Sequence, residues 1–382
     1  MQMRILLVGE YSRLHNSLKE GLQALGHQVV LVGNGDHFKK FPVDISIDSS
    51  FLKKYFPSIK RKIIFKFFKI DVFDYEVIYK FNKYLPQLKD FDVIQFINED
   101  ALNIHPKFQI NLLKRLLEQN GKLFLLSCGD DYVNISHYLK DKEKYSILSP
   151  LMENESLKKK YQFSLKYLTK PYLALHNFIK NRCSGVISTD IDYHLPYLEK
   201  ENYLGLIPNP INIDKIKYQP LVIDDKIIIF HGINTLSSVR KGNEYFSQAL
   251  EIIKDKYDHK VEIRTSFNIP YNQYLSLYED CHIFLDQVYS YDQGYNALEA
   301  MARGKVVFTG AEKEWLDFYN LKENSVAINA LPNVHDIVEK LEWLILHPEK
   351  IIEISKNARK FIEKEHDYIT ISKCYLDIWC NN

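Results

Sequence analysis

Apolar runs bounded by glycine recur along the chain and alternate with stretches of helical period. Residues 4–8 (RILLV) are almost wholly apolar, the pattern of a parallel strand covered on both faces. Gly9 ends the run. Leu14, Leu18, Leu22 and Leu25 then recur on one helical face, and Gly26 stands where a C-terminal cap belongs. Residues 28–32 (QVVLV) predict the next strand and close a βαβ unit. The alternation continues with strands over 92–97, 122–126 and 185–189 and a helix through Leu112, Leu113, Leu116 and Leu117. Residues 206–211 (LIPNPI), stiffened by two prolines, suit a link between domains. After it the pattern restarts, with strands over 226–230, 261–265, 283–285 and 306–308. Helices are predicted over 242–253, near 271–280 and over 294–303, and three more close the chain, the last over 368–379.

This pattern predicts an α/β fold of two tandem doubly wound, Rossmann-like domains facing a cleft. The boundaries fall at residues 1–205 and 206–365, with a C-terminal helix over 366–382 packing back toward the first domain. A length of 382 residues agrees with two domains rather than one. With 46% hydrophobic and 26% charged residues, a disordered chain is excluded. No apolar run approaches the roughly 18 residues of a membrane span. Five scattered cysteines without a CxxC spacing suggest neither a disulfide framework nor a zinc site. A soluble cytoplasmic protein is the expectation. The net charge of +1 hides an asymmetry: residues 1–213 carry 30 Lys and Arg against 23 Asp and Glu, whereas the remainder is net acidic. The two halves are therefore expected to meet different partners, and neither is basic enough to make nucleic acid the default.

Two segments carry candidate chemistry. Residues 286–310 run from a strand end, through a polar loop with Asp286 and Asp292, into a helix opened by Gly294. Ligands of parallel sheets bind at such loops, where helix N–H groups point into the crevice. Glu299 lies inside that helix among small and apolar neighbours, and its carboxylate suits the vicinal diol of a ribose; the alternative is a glutamate on a solvated face. In residues 230–242 another strand end is followed by His231, Asn234, Arg240 and Lys241, and Gly242 opens a helix. Two cations at a helix start oppose its dipole unless an anion sits there, and a diphosphate would resolve the conflict. The alternative is a pair of solvated surface cations.

Together these segments resemble the GT-B glycosyltransferases, in particular the family 4 (group 1) enzymes of surface-polysaccharide synthesis. Lys241-Gly242 matches the family's diphosphate-binding pair. Glu299, in Leu298-Glu299-Ala300-Met301-Ala302-Arg303-Gly304-Lys305, matches the glutamate that holds the donor ribose. Ile207-Pro208-Asn209 matches the linker. The resemblance implies a cytoplasmic enzyme of polysaccharide biosynthesis that moves a sugar, with retention, from a nucleotide-sugar to a saccharide or lipid-linked saccharide. No metal or other cofactor is expected, because cations and helix amides stabilise the departing diphosphate. One departure stands out. The first glutamate of the family pair would fall at Tyr291, with Asp292 or Asp286 as substitutes. In similar enzymes the loop after the strand at 122–126 supplies a side chain to the donor sugar, and here that position is Asp130. A nucleotide-sugar epimerase of the same architecture and a catalytically degenerate binding subunit are the alternatives.

On the N-terminal side, three loops are expected to face the cleft as an acceptor site: Gly9 to Arg13 with His15 one turn later, Asn98-Glu99-Asp100, and Cys128 to Asp131. The paired Asp130 and Asp131 suit sugar hydroxyls or the deprotonation of an acceptor; capping of a helix is the alternative. Residues 53–69 carry seven cations, no acid and five aromatics, which suits the anionic inner face of a membrane. A solvated loop with buried aromatics is the alternative there.

Overall fold

The computed structural model describes residues 2–36, 39–68, 71–140 and 143–382; the side chains of Phe68, Tyr271 and Asn272 are outside that description. Lys69, the last cation of the basic stretch, lies outside the described residues. The first sheet comprises β1 (Arg4–Val8), β2 (Gln28–Gly33), β3 (Ile45–Ser46), β4 (Val93–Phe96), β5 (Lys122–Ser127), β6 (Cys183–Ser188) and β7 (Tyr203–Leu206), in the order β3-β2-β1-β4-β5-β6-β7. The second comprises β8 (Ile227–Ile233), β9 (Val261–Phe267), β10 (Ile283–Leu285), β11 (Val306–Thr309) and β12 (Ile328–Asn329), in the order β12-β11-β10-β8-β9. Every pairing in both sheets is parallel. Strand order reverses beside β1 and β4 in one sheet and beside β8 and β10 in the other. Ligand crevices of open parallel sheets form at such points, outside the carboxyl ends of the strands. The central strands are buried along almost their whole length, which is why they read as continuous apolar runs.

Each sheet has its own apolar core. The chain passes between them twice, and the two passages lie side by side. Ile211 N–H donates to the His366 carbonyl at 2.7 Å, and His366 Nδ1–H donates to the Asn209 carbonyl at 2.8 Å. Burial holds His366 neutral, with its pKa lowered to about 4. The return passage leads into the helix Tyr368–Asn381. Its Ile371, Tyr375 and Trp379 join the first domain's core, and Trp379 meets Phe124 of β5. This helix crosses the helix Leu14–Ala24 at Gly21, where contact is backbone-close. A Cβ on Gly21 would stand 2.2 Å from Ser372 Oγ and 2.4 Å from the Tyr368 carbonyl oxygen.

Periodicity missed β3 and β12, of two residues each, and β7. It also missed the helices Ser50–Tyr55, Ser58–Phe68 and Val72–Tyr84, and the helical excursion over 132–180 between β5 and β6.

Gly21→Ala tests the crossing. Alanine favours a helix interior by about 1 kcal/mol over glycine, but overpacking costs about 1–3 kcal/mol and here meets backbone. A net loss of about 1–2 kcal/mol in urea denaturation is expected, and a stabilised variant would show that the helices separate freely.

Candidate active site at the domain cleft

On the C-terminal side, β8 leads into a turn built by Asn234, whose Oδ1 accepts from Leu236 N–H at 3.0 Å. The short helix Ser238–Lys241 follows, then Gly242, then the helix Asn243–Tyr257. Gly242 has φ +65°, and a Cβ there would lie 2.2 Å from Val288 Cγ2. Only glycine lets the 286–288 segment approach so closely. Val288 N–H donates to the Lys241 carbonyl at 3.0 Å. His231 is buried with Nε2 3.1 Å from Asn243 Nδ2, and burial followed by the nearby Lys241 charge lowers its pKa to about 4. His231 and Asn234 therefore shape the loop.

The two cations are not free. Lys241 Nζ donates to Asp286 Oδ1 at 2.6 Å. Arg240 crosses the cleft to Asp130, with Nη2 2.7 Å from Oδ1 and Nη1 3.0 Å from Oδ2. Ser164 Oγ adds a third bond to Asp130 at 2.5 Å, and the guanidinium lies 4.7 Å over the Phe163 ring. Carboxylates thus resolve the charge conflict foreseen at this helix start. Asp131 turns the other way: it caps the helix Tyr132–Tyr138 through Asn134 N–H at 2.7 Å and accepts from Tyr197 OH at 3.0 Å. A cavity of about 550 Å³ lies between the domains here. Arg240, Lys241, Gln287 and Gly294 line it from one side, and Tyr138, Phe163, Asp190 and Tyr193 from the other.

Of the three loops expected on the acceptor side, the one over residues 128–131 reaches the cleft through Asp130, while those at 9–13 and 98–100 do not line this cavity. A Cβ on Gly9 would lie 2.2 Å from Ile97 Cγ2, and its carbonyl accepts from His15 Nδ1–H at 2.7 Å. His15 is wholly buried, with its pKa lowered to about 3, and so acts as a neutral strut. Arg13 pairs with Glu20 at 3.1 Å. Glu99 is bound to His176 and accepts from Tyr132 N–H at 3.3 Å, pinning the helical excursion to the sheet. These two loops leave strand ends as predicted, but His15 and Glu99 turn inward.

Two residues expected on the donor side stand off the cavity wall. Tyr291 is buried away from the cavity; its OH accepts from Lys144 N–H at 3.0 Å and its ring packs on Tyr145. Asp292 is tied into the junction, accepting from Ile191 N–H at 3.0 Å and Gln293 N–H at 2.6 Å. Glu299 is buried at 6% exposure, which excludes a solvated face, but it stands outside the residues lining the cavity. Four residues before it, Tyr295 OH lies 2.9 Å from Ser17 Oγ of the first domain. Sequence reasoning passed over Asp190 and Asp192. Asp190 caps the short helix after β6, and Asp192 accepts from Ser290 Oγ at 2.6 Å and from Tyr291 and Asp292 N–H. Their signal was present: two acids directly after a strand end, the pattern already noted at Asp130.

Two parallel sheets with their crevices turned to one cleft invite comparison with known folds. Residues 234–377 match a family described as glycosyl transferase-like. That match spans most of the C-terminal domain. HepE of Anabaena, solved with UDP and glucose, aligns over all of both chains at 13% identity and a TM-score of 0.59. The sucrose-phosphate synthase of Thermosynechococcus elongatus does so at 16% identity and 0.62. A glycosyltransferase of Rickettsia africae aligns over 99% of this chain and 98% of its own, at 16% identity and 0.52. At such identities the likeness is one of fold, and that fold is GT-B. No curated protein matches the sequence. The family match begins at Asn234, the first residue after β8.

The carboxyls of Asp190, Asp192 and Asp292 are held above the usual range, first by burial and then, at Asp190 and Asp292, by neighbouring carboxylates. A raised carboxyl contributes stability that is full below its unfolded pKa of about 4 and is lost as pH rises through the folded value. The depressed His15, His231 and His366 act oppositely, but only below about pH 6.5. Between about pH 6.5 and 8 the melting temperature is therefore expected to fall, and less steeply for Asp292→Asn. An identical slope in the variant would remove Asp292 from this linkage.

Proposed function

We propose that the chain transfers a sugar from a nucleotide-sugar to a saccharide acceptor, with the donor bound in the interdomain cavity. The observation that carries this reading is the Arg240-Lys241-Gly242 junction. Two cations meet a helix start, at a glycine that no other residue replaces, on the wall of a cavity at the switch point of a parallel sheet. Departure of a nucleoside diphosphate develops negative charge, which the two cations and the helix amides stabilise. Asp130 and Asp286 hold those cations in place and yield them to the incoming diphosphate. The complex of HepE with UDP and glucose supports a uridine diphosphate donor.

The finer parts of the reading concern outcome and setting. Retention, a lipid-linked acceptor and a place in capsule or cell-surface polysaccharide synthesis follow the family resemblance, with the protein resting on the inner face of a membrane. A second reading has its own support. With Tyr291 packed on Tyr145, no carboxylate stands where a family enzyme contacts the transferred sugar, as in a subunit that binds donor without transfer. Thermal shift against a panel of nucleotide-sugars, followed by assay of diphosphate release with and without saccharide acceptors, separates the two. Stabilisation with release supports transfer, and stabilisation without release supports binding alone.

Lys241→Ala is expected to lower turnover by about 10²–10³-fold. A melting curve accompanies the assay, because the change also strips Asp286 of its partner. Near wild-type turnover would remove Lys241 from the diphosphate site. Glu299→Gln is expected to weaken nucleoside diphosphate binding by about 1–3 kcal/mol in calorimetry. Unchanged affinity would leave Glu299 a packing residue.

A further inference from the structure

The helices Ser50–Tyr55 and Ser58–Phe68 stand apart from every core. No residue of the first is buried, and the described side chains of the second are exposed or half-buried. On the second helix Ile59, Ile63 and Phe67 follow one another at i, i+4 and i+8, forming a single stripe. Ile59 is 71% exposed and Phe67 74% exposed. Phe51 and Tyr55 repeat the i, i+4 spacing on the first helix, and both are exposed. Lys62 and Lys66 border the stripe on one side and Lys60 on the other, at the angles a 100° step per residue gives. An eleven-residue helix is marginal in water by itself, and this one turns its apolar stripe to solvent.

The charges decide what covers it. Residues 50–68 contain no carboxylate. Arg61 is held internally, with Nε 2.9 Å from Asp71 Oδ1 and its guanidinium 4.0 Å over Phe73, so it anchors the helix. Lys60, Lys62 and Lys66 flank the apolar stripe, and Lys54 stands beside Tyr55. A second copy packed on this face would set lysine against lysine. We propose that this pair of helices docks the protein on an anionic lipid surface, with Ile59, Ile63 and Phe67 entering the acyl boundary and the lysines meeting headgroup phosphates. This deepens the acceptor side of the function proposed above and takes its purpose from it, but docking is measured without donor or acceptor.

The test is co-sedimentation of the full chain with phosphatidylcholine vesicles and with mixed phosphatidylcholine–phosphatidylglycerol vesicles, at low and high salt. Binding to the anionic vesicles alone is expected, with partial loss in salt as the screening length shortens. Changing Lys54, Lys60, Lys62 and Lys66 together to Gln is expected to lower partitioning at least about tenfold, since each cation near such a surface accounts for up to about fivefold. Changing Ile59, Ile63 and Phe67 to Ser is expected to abolish the salt-resistant remainder. Unchanged melting curves control for folding in both variants. Equal binding to both vesicles, or binding to neither, overturns the proposal. So does a concentration-dependent dimer that the serine variant breaks, which would assign the face to a second copy. Thermal shift with a nucleotide-sugar reads the donor site separately, so either reading can fail without the other.

Discussion

Arg240 and Asp130 meet face to face across the cleft, each offering two atoms to the other, and the electrostatics of the cavity follow from that contact. Without it, a guanidinium and a carboxylate would each sit mostly buried and uncompensated, which costs several kcal/mol per charge. With it, two side chains 110 residues apart along the chain, one from each domain, form one charge-neutral wall. Lys241 and Asp286 repeat the device within the C-terminal domain. The site thus keeps two cations at the cavity wall while remaining near neutral.

The junction around this wall is built differently from the two cores. Both cores are apolar, whereas the contacts between domains include several carboxylates that accept from the other side: Asp192 from Ser290 Oγ and the N–H groups of Tyr291 and Asp292, Asp292 from Ile191 N–H, and Glu312 from the Lys144 ammonium and the Tyr145 hydroxyl. Hydrogen-bonded contacts of this kind fix orientation more than they add free energy, because each exchanges with water when it opens. Such a junction suits domains that must separate and close again around a substrate.

Sequence made the strands that matter legible, because a strand buried on both faces is mostly apolar along its length: β1, β4, β8, β10 and β11 all read this way, with Gln95 in β4 and His231 in β8 as buried polar interruptions. It located the loops after them as well, including the Arg240-Lys241-Gly242 junction. It did not show which way their side chains turn. His15, Glu99 and Asp130 all follow strand ends, but only Asp130 reaches the other domain, and the difference lies in partners far along the chain: His176 for Glu99, Arg240 for Asp130. Spacing carries no record of such pairs. The same holds for Tyr291, whose role is set by Lys144 and Tyr145 in a helical excursion that showed no clear period.

The helix Tyr368–Asn381 has a consequence for how the molecule is made. The first domain's core includes Ile371, Tyr375 and Trp379, side chains encoded after the whole of the second domain. Domains generally fold in order as synthesis proceeds, the N-terminal one first. Here the leading domain emerges with one wall missing, its helix Leu14–Ala24 bare along the side that Gly21 faces. The trailing domain, whose sheet and cover are contiguous in sequence, can close before it. The second half of the chain is thus equipped to finish first, and its last helix then returns to seal the half that began.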